Sequence, residues 1–85
     1  MNLFVTEQAE GDIAYWNKTD KAKSEKILEL IANAMETPFS GLGKPEPLRY
    51  DMQGCWSRRI DREHRLVYMV EGDSLTILAC RYHYK

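Results

Sequence analysis

The chain has 85 residues, of which 44% are hydrophobic and 29% charged, and its formal net charge is −1. This length allows one domain, residues 1–85, and this composition is that of a folded globular protein. The near-neutral charge by itself argues against a nucleic-acid-binding protein. No apolar run approaches the roughly 18 residues of a membrane span. The N-terminus lacks the basic start and apolar core of a secretory signal, so we expect a cytoplasmic protein.

The N-terminal half predicts one strand and two helices. Leu3-Phe4-Val5 is typical of a short strand, and Thr6 can cap the helix that follows it. A second helix is predicted from about Lys21 to Met35. Apolar side chains recur at helical spacing in both helices and should pack against a sheet. They are Ala9, Ile13 and Trp16 in the first helix and Ile27, Leu30, Ile31 and Ala34 in the second.

The C-terminal half predicts a loop followed by strands. Pro, Gly and Ser dominate from Thr37 to Pro47, which indicates an ordered loop. Four strand-like segments follow, with turns between them: Pro47–Tyr50, Trp56–Asp61, Arg65–Val70 and Leu75–Tyr82. The order β-α-α-β-β-β-β predicts an α+β fold in which two helices pack on one face of a twisted, mostly antiparallel sheet. We expect the other face to be uncovered.

Alternation along two of these strands predicts their register. If the more apolar faces pair, Trp56 lies opposite Tyr68 and Arg58 opposite Leu66. Arg59 then faces Arg65 across the uncovered side. Like charges in that arrangement are destabilising, and a bound phosphate would remove the cost. The arginines also have an ordinary explanation as solvated charges beside acidic neighbours.

Positive charge is concentrated in the middle of the chain. Residues 44–65 contain six Lys or Arg against four Asp or Glu, whereas residues 1–43 contain four against seven. Five of those six basic residues are arginines, whose planar fork fits phosphate oxygens. The sequence therefore predicts a local anion site. Its candidate substrate-binding residues are Lys44, Arg49 and Arg58, together with Arg81 in the aromatic and basic tail.

The available residue types suit acid/base cleavage of RNA without a metal or another cofactor. RNA supplies its own nucleophile, the 2′-hydroxyl, so an enzyme needs a base, an acid and cations that hold the phosphate. A carboxylate, a histidine and arginines meet that need. Alone, Glu46 between two prolines could be an exposed loop residue, and His83 a solvated chain end. No zinc-type spacing of Cys and His is present, and we expect Cys55 and Cys80 to be unpaired thiols.

Several long motifs resemble the YoeB/Txe toxins of the RelE superfamily, and the resemblance covers essentially the whole chain. The motifs are Gly43-Lys44-Pro45-Glu46-Pro47-Leu48, Trp56-Ser57-Arg58-Arg59-Ile60, Glu63-His64-Arg65-Leu66-Val67-Tyr68 and Arg81-Tyr82-His83-Tyr84. This resemblance implies a microbial-RNase-like α+β fold and a ribosome-dependent endoribonuclease that cuts messenger RNA in the A site. It also implies a homodimer and neutralisation by a YefM/Phd-type antitoxin, through which alone the complex would contact operator DNA.

The resemblance also implies roles for five residues. Glu46 would be the general base and His83 the general acid. Arg65 would hold the scissile phosphate with support from Arg59, and Tyr84 would orient or stack on the substrate. The alternative function, from another class, is a ribosome- or RNA-binding translation blocker that does not cleave.

The chain departs from the family pattern at a few positions. Arg49 stands where lysine is common, which keeps the charge but changes the geometry of a phosphate contact. Tyr50 stands where histidine is common, and Lys85 extends the usual end by one residue.

Overall fold

The computed structural model describes residues 1–82. The chain forms β1 (Asn2–Val5), α1 (Glu7–Thr19), α2 (Lys21–Glu36), β2 (Glu46–Pro47), β3 (Cys55–Arg59), β4 (Arg65–Glu71) and β5 (Ser74–Ala79). A single 3-10 turn at Tyr50–Met52 lies between β2 and β3. This order confirms the predicted α+β fold with two helices followed by strands.

The two helices begin where capping residues predict. The Thr6 side chain accepts a hydrogen bond from the backbone N–H of Ala9, and the Asp20 carboxylate accepts from the N–H groups of Ala22 and Lys23. Such side chains satisfy backbone donors that have no partner within the first turn of a helix. Asp20 also ends α1, because its own N–H donates to the Trp16 carbonyl.

The five strands form one mixed sheet in the order β1-β5-β4-β3-β2. β1 runs parallel to β5, and the other pairs are antiparallel. The predicted register of β3 and β4 is confirmed: Trp56 lies opposite Tyr68, Arg58 opposite Leu66 and Arg59 opposite Arg65. The pairing of β4 with β5 shifts at Val67/Tyr68, an irregularity that alternation did not predict.

The core lies between the helices and one face of the sheet. All predicted stripe residues of α2 are buried there, as are Ala9 and Trp16 of α1, with Ile13 packed against them. The sheet contributes Leu66, Tyr68, Leu75 and Ile77. Both cysteines are buried and free, as expected. Neither helix within residues 1–82 is long and apolar enough to cross a membrane.

Three predictions about the C-terminal half are corrected. The strand predicted at Pro47–Tyr50 is the two-residue β2, because Tyr50 adopts a positive φ of 58° and begins the 3-10 turn. The last strand ends at Ala79 rather than Tyr82. The second sheet face is not uncovered throughout, since Ser57 and Val67 belong to that side and are 1% and 0% exposed.

Candidate active site

A cavity of about 380 Å³ opens where β2 meets β3 and β4. Its lining combines one carboxylate, two arginines, a serine hydroxyl and an aromatic ring. The lining residues are Glu46, Pro47, Leu48, Arg49, Tyr50, Ser57 and Arg65. Two predicted site residues, Glu46 and Arg65, are thus brought together from positions 19 apart in the sequence.

Arg65 contacts two other residues that line the cavity, the exposed Glu46 and the buried Ser57. Its Nη1 lies 3.7 Å from Glu46 Oε1 and 3.4 Å from Ser57 Oγ. The Glu46 side chain is 56% exposed, so this ion pair is worth little in stability. Its value is geometric, because it places a carboxylate and a guanidinium around a space where an anion can enter.

Strand pairing fixes the position of Glu46. Glu46 is the register partner of Ser57, and the N–H of Leu48 donates to the Cys55 carbonyl at 2.9 Å. Upstream, the N–H of Arg59 donates to the Gly43 carbonyl at 2.7 Å. Gly43 has φ 78°, and a Cβ there would stand only 2.9 Å from Leu30 Cδ2. The loop reaches the sheet this closely because residue 43 is glycine.

Arg59 lies beside this cavity. It is exposed and sits opposite Arg65, as the alternation predicts. Arg49 lines the cavity, whereas Lys44 is exposed at φ 51°. Within the described residues, Lys44 and Arg59 are near neighbours of the lining in sequence but not part of it.

Arg58 does not belong to the site, which corrects its interpretation as a substrate-binding residue. Its side chain is on the helix side of the sheet and 0% exposed. Each of its five N–H donors has a protein acceptor, so no donor is left for a substrate. The acceptors are Tyr68 Oη, Asn33 Oδ1 and the carbonyls of Leu42, Thr37 and Ser40.

Arg81 lies against α1. Its guanidinium carbon is 3.6 Å from the centroid of the Tyr15 ring and 4.9 Å from that of Tyr82. This stacking holds the guanidinium by a cation–π contact, outside the lining described above. The predicted acid His83 and the predicted stacking residue Tyr84 lie outside the described residues. The preceding residue is near Arg65, whose N–H donates to the Tyr82 carbonyl at 2.9 Å.

Sequence reasoning missed the places of Tyr50 and His64. Tyr50 was predicted within a strand, yet it borders the cavity with 87% of its surface exposed. The sequence motifs assign no role to His64, yet its ring is buried and its Nδ1 accepts a hydrogen bond from the N–H of Tyr82 at 2.6 Å. The sequence offered one indication that His64 lies near the site, namely its position directly before Arg65.

The turn that carries His64 is held by Asp61. Asp61 Oδ1 accepts from the N–H groups of Glu63 and His64, and Oδ2 lies 2.8 Å from Lys23 Nζ of α2. Burial alone would raise the pKa of Asp61. The hydrogen bonds from Lys23, His64 and Glu63, with the charge of Lys23, outweigh it and lower that pKa to about 2. The turn is therefore anchored to a helix by a carboxylate that stays ionised.

Comparison with known proteins decides the family. The model of the "YoeB-like toxin of bacterial type II toxin-antitoxin system" family matches residues 5–84. This chain belongs to that family. It is therefore a toxin of a type II toxin–antitoxin system, as the motifs indicate. The Escherichia coli K12 Toxin YoeB is 56% identical over 84 residues, which cover 99% of this chain and 100% of that toxin.

Solved structures of this toxin family agree with the fold. The YoeB/ParE toxin from Agrobacterium tumefaciens has a TM-score of 0.95 at 52% identity, with 99% of this chain and 100% of that one covered. The YoeB dimer from Staphylococcus aureus has a TM-score of 0.90 at 40% identity. A YoeB–YefM complex from the same organism gives 0.89 at 39% identity. Both cover 99% of this chain and 98% of the other.

Proposed function

We propose that this toxin is a ribosome-dependent endoribonuclease that cleaves messenger RNA in the A site and thereby stops translation. The observation that carries the proposal is the placement of Glu46 and Arg65 within 3.7 Å of each other at an open cavity. A carboxylate that can take a proton and a cation that can hold a phosphate are two of the three groups that the reaction needs.

The reaction we infer uses the 2′-hydroxyl of the RNA as nucleophile. The 2′-oxygen bonds to phosphorus while the bond between phosphorus and the 5′-oxygen breaks. Glu46 accepts the proton of the 2′-hydroxyl, and His83 donates a proton to the departing 5′-oxygen. The products are a 2′,3′-cyclic phosphate and a 5′-hydroxyl. Arg65 stabilises the charge on the phosphate during this exchange.

The third group is His83, which the family resemblance implies as the acid and which follows the last described residue, Tyr82. Tyr82 is held beside the cavity, because its carbonyl accepts a hydrogen bond from the N–H of Arg65 at 2.9 Å. This contact between Tyr82 and a cavity residue is the support for assigning the acid role to the next residue in the sequence. We assign Tyr84, one residue further on, the role of orienting or stacking on the substrate.

The remaining basic residues would bind the RNA backbone. Arg59 lies opposite Arg65 and is proposed to support it on the scissile phosphate. Arg49 borders the same cavity, so it would contact an adjacent phosphate. Lys44 and Arg81 lie beyond the lining and would contact more distant phosphates. These are contacts that position a substrate rather than select its bases.

Cleavage on programmed ribosomes tests the proposed roles. The purified toxin should cut A-site codons, and Glu46→Gln or His83→Gln should lower the cleavage rate about 100-fold or more, because each removes one proton-transfer group. Glu36→Gln, an exposed carboxylate at the end of α2, is the matched control and should cleave normally. If both site variants cleave like the control, the assigned roles are wrong.

The alternative, a translation blocker without cleavage, gives a different result in the same assay. A blocker would stop translation and leave the message intact, whereas the enzyme leaves 2′,3′-cyclic phosphate ends within ribosome-bound codons. The mechanism also needs no metal or other cofactor. Chelation of free zinc and other transition metals should therefore leave the rate unchanged in ribosomes kept intact with magnesium, and a loss that zinc restores would contradict the metal-free mechanism.

We further propose that this toxin forms a homodimer and is neutralised in the cytoplasm by a YefM-type antitoxin. The support is the S. aureus relative, solved both as a YoeB dimer and as a YoeB–YefM complex. Operator DNA would be bound only through the antitoxin complex. Light scattering of the purified toxin should give twice the chain mass of 9.9 kDa, and a monomer at micromolar concentration would contradict the dimer.

A further inference from the structure

The last described residues are tied to helix α1 by their backbone. The N–H of Cys80 donates to Asp12 Oδ2 at 3.0 Å, and the carbonyl of Cys80 accepts from the indole N–H of Trp16 at 2.8 Å. Both polar groups of one residue are therefore bound by side chains one helical turn apart in α1. Position 80 is thus fixed to a rigid element, and the chain leaves it in a defined direction.

Two residues downstream, Tyr82 is held in the same way by the consecutive residues His64 and Arg65. Its N–H donates to His64 Nδ1 at 2.6 Å, and its carbonyl accepts from the N–H of Arg65 at 2.9 Å. Tyr82 has φ 66°, a left-handed conformation that costs a residue with a side chain about 1–2 kcal/mol. The two hydrogen bonds hold the chain in a turn that tyrosine would otherwise avoid.

The surroundings of His64 favour the form that this contact needs. An Nδ1 that accepts a hydrogen bond carries no proton, so the ring is neutral and its proton is on Nε2. Glu63 Oε1 lies 3.6 Å from Nε2, which favours a proton on that nitrogen. The ring is 8% exposed and meets Trp16 edge to face, with centroids 4.7 Å apart. The same Trp16 binds Cys80, so one indole supports both anchors.

We propose that His64 is a positioning residue for the cleavage reaction. Its Nδ1 fixes Tyr82, the residue directly before the proposed acid His83 in the sequence. Arg65 connects Tyr82 to the cavity, because the Arg65 N–H donates to the Tyr82 carbonyl while the Arg65 side chain lies 3.7 Å from Glu46. His64 does not contact the substrate in this proposal. The inference rests on the proposed ribonuclease function and adds a residue to it.

Two substitutions separate the hydrogen bond from the packing of the ring. His64→Asn keeps an acceptor near the Nδ1 position but removes the ring, whereas His64→Phe keeps an aromatic ring against Trp16 but removes the acceptor. We expect His64→Asn to retain kcat within about threefold and His64→Phe to lose kcat about 10-fold or more, since small displacements of a reacting group are costly. KM should change little in both, because the phosphate-binding arginines are intact. Glu71→Gln is the control.

A modified substrate tests whether the lost step is protonation of the leaving group. RNA with a 5′-bridging sulfur at the cleavage site releases a thiolate, which needs no general acid. His64→Phe and His83→Gln should both approach the wild-type rate on this substrate, whereas Glu46→Gln should stay slow. A merely structural defect would not be relieved by a better leaving group.

The outcomes distinguish this inference from the function on which it rests. Loss of kcat in His64→Asn with retention in His64→Phe, or no rescue by the sulfur substrate, overturns the positioning role while cleavage by the wild type still supports the enzyme. Intact message with the wild type overturns the enzyme itself. Amide exchange then tests the contact alone: the N–H of Tyr82 should be protected in His64→Asn and exchange faster in His64→Phe. If His64→Phe does not fold, His64→Gln, whose carbonyl lies nearer the Nε2 position, replaces it.

Discussion

Replacing Arg58 by methionine should destabilise the protein by about 3 kcal/mol. The guanidinium is 0% exposed and donates five hydrogen bonds. Hydrogen bonds to charged groups contribute about 1.5–3 kcal/mol each, but partners that regain water on substitution lose little. The carbonyls of Thr37, Ser40 and Leu42 belong to exposed loop residues and can be rehydrated. The loss is therefore set by the two side-chain partners, Asn33 and Tyr68, at about 1.5 kcal/mol each.

Urea denaturation measures this loss. A slope of about 1 kcal/mol/M, expected for a chain of this size, converts 3 kcal/mol into a midpoint about 3 M lower. Arg62→Met, at an exposed arginine of the turn after β3, is the matched control and should change stability by less than about 0.5 kcal/mol. A loss below about 1 kcal/mol for Arg58→Met would refute the reasoning, because the buried donors would then contribute no more than a surface arginine.

A double-mutant cycle with Tyr68→Phe checks the origin of the effect. The Tyr68 hydroxyl accepts from Arg58 Nε at 2.9 Å and donates to the Pro38 carbonyl at 2.7 Å. The two substitutions remove parts of one network, so their effects should fall short of additivity by about 1 kcal/mol. Strict additivity would show that Arg58 and Tyr68 stabilise the loop independently.

Three further predictions concern other parts of the chain. Gly43→Ala should destabilise the protein by about 1–3 kcal/mol, because its Cβ would lie 2.9 Å from Leu30 Cδ2. Gly11→Ala has open space in α1 and should stabilise the protein by about 0.5–1 kcal/mol. Equal effects of the two substitutions in urea denaturation would contradict this. The stability advantage of the wild type over Asp61→Asn should be full above pH 3.8 and fade as pH falls toward 2, because folding lowers the pKa of this carboxyl; a pH-independent difference would contradict it. Burial raises the pKa of Cys80 to about 12, so alkylation at pH 8 followed by mass spectrometry should label this thiol only in urea, and rapid native labelling would contradict its burial.

The regular elements could be predicted because burial imposes periodicity on them. The α2 stripe of Ile27, Leu30, Ile31 and Ala34 is buried as predicted, since one face of an amphipathic helix must pack on the sheet. The register of β3 and β4 follows from the same demand, because a slip by one residue would move Leu66 and Tyr68 to the other face. The same alternation places Arg59 opposite Arg65 on the second face, as the structure confirms.

The connections could not be predicted because they depend on individual backbone angles. Lys44, Tyr50 and Tyr82 adopt positive φ, which side chains other than glycine rarely do and which alternation cannot reveal. The shift in the pairing of β4 with β5 at Val67/Tyr68 is likewise not visible in the alternation. Lys44 and Tyr50 lie on either side of Glu46 in the sequence, and the Tyr82 carbonyl accepts a hydrogen bond from the N–H of Arg65. The sequence pattern alone could therefore not assemble the site.

The predicted register of β3 already implies that the Arg58 side chain is buried against the helices. Alternation put Arg58 on the side of Trp56 and Ile60, which packs toward the helices, and an arginine placed there needs internal acceptors. The loop of residues 37–43 supplies three carbonyls, so the buried charge draws that loop onto the sheet. The same loop leads through Gly43 to Glu46. Two adjacent arginines of β3 therefore act on opposite faces: Arg58 organises the loop that delivers the carboxylate, and Arg59 stays exposed beside Arg65. This division explains how a chain of net charge −1 can present a cationic site, because local placement rather than net charge determines the field that a phosphate meets.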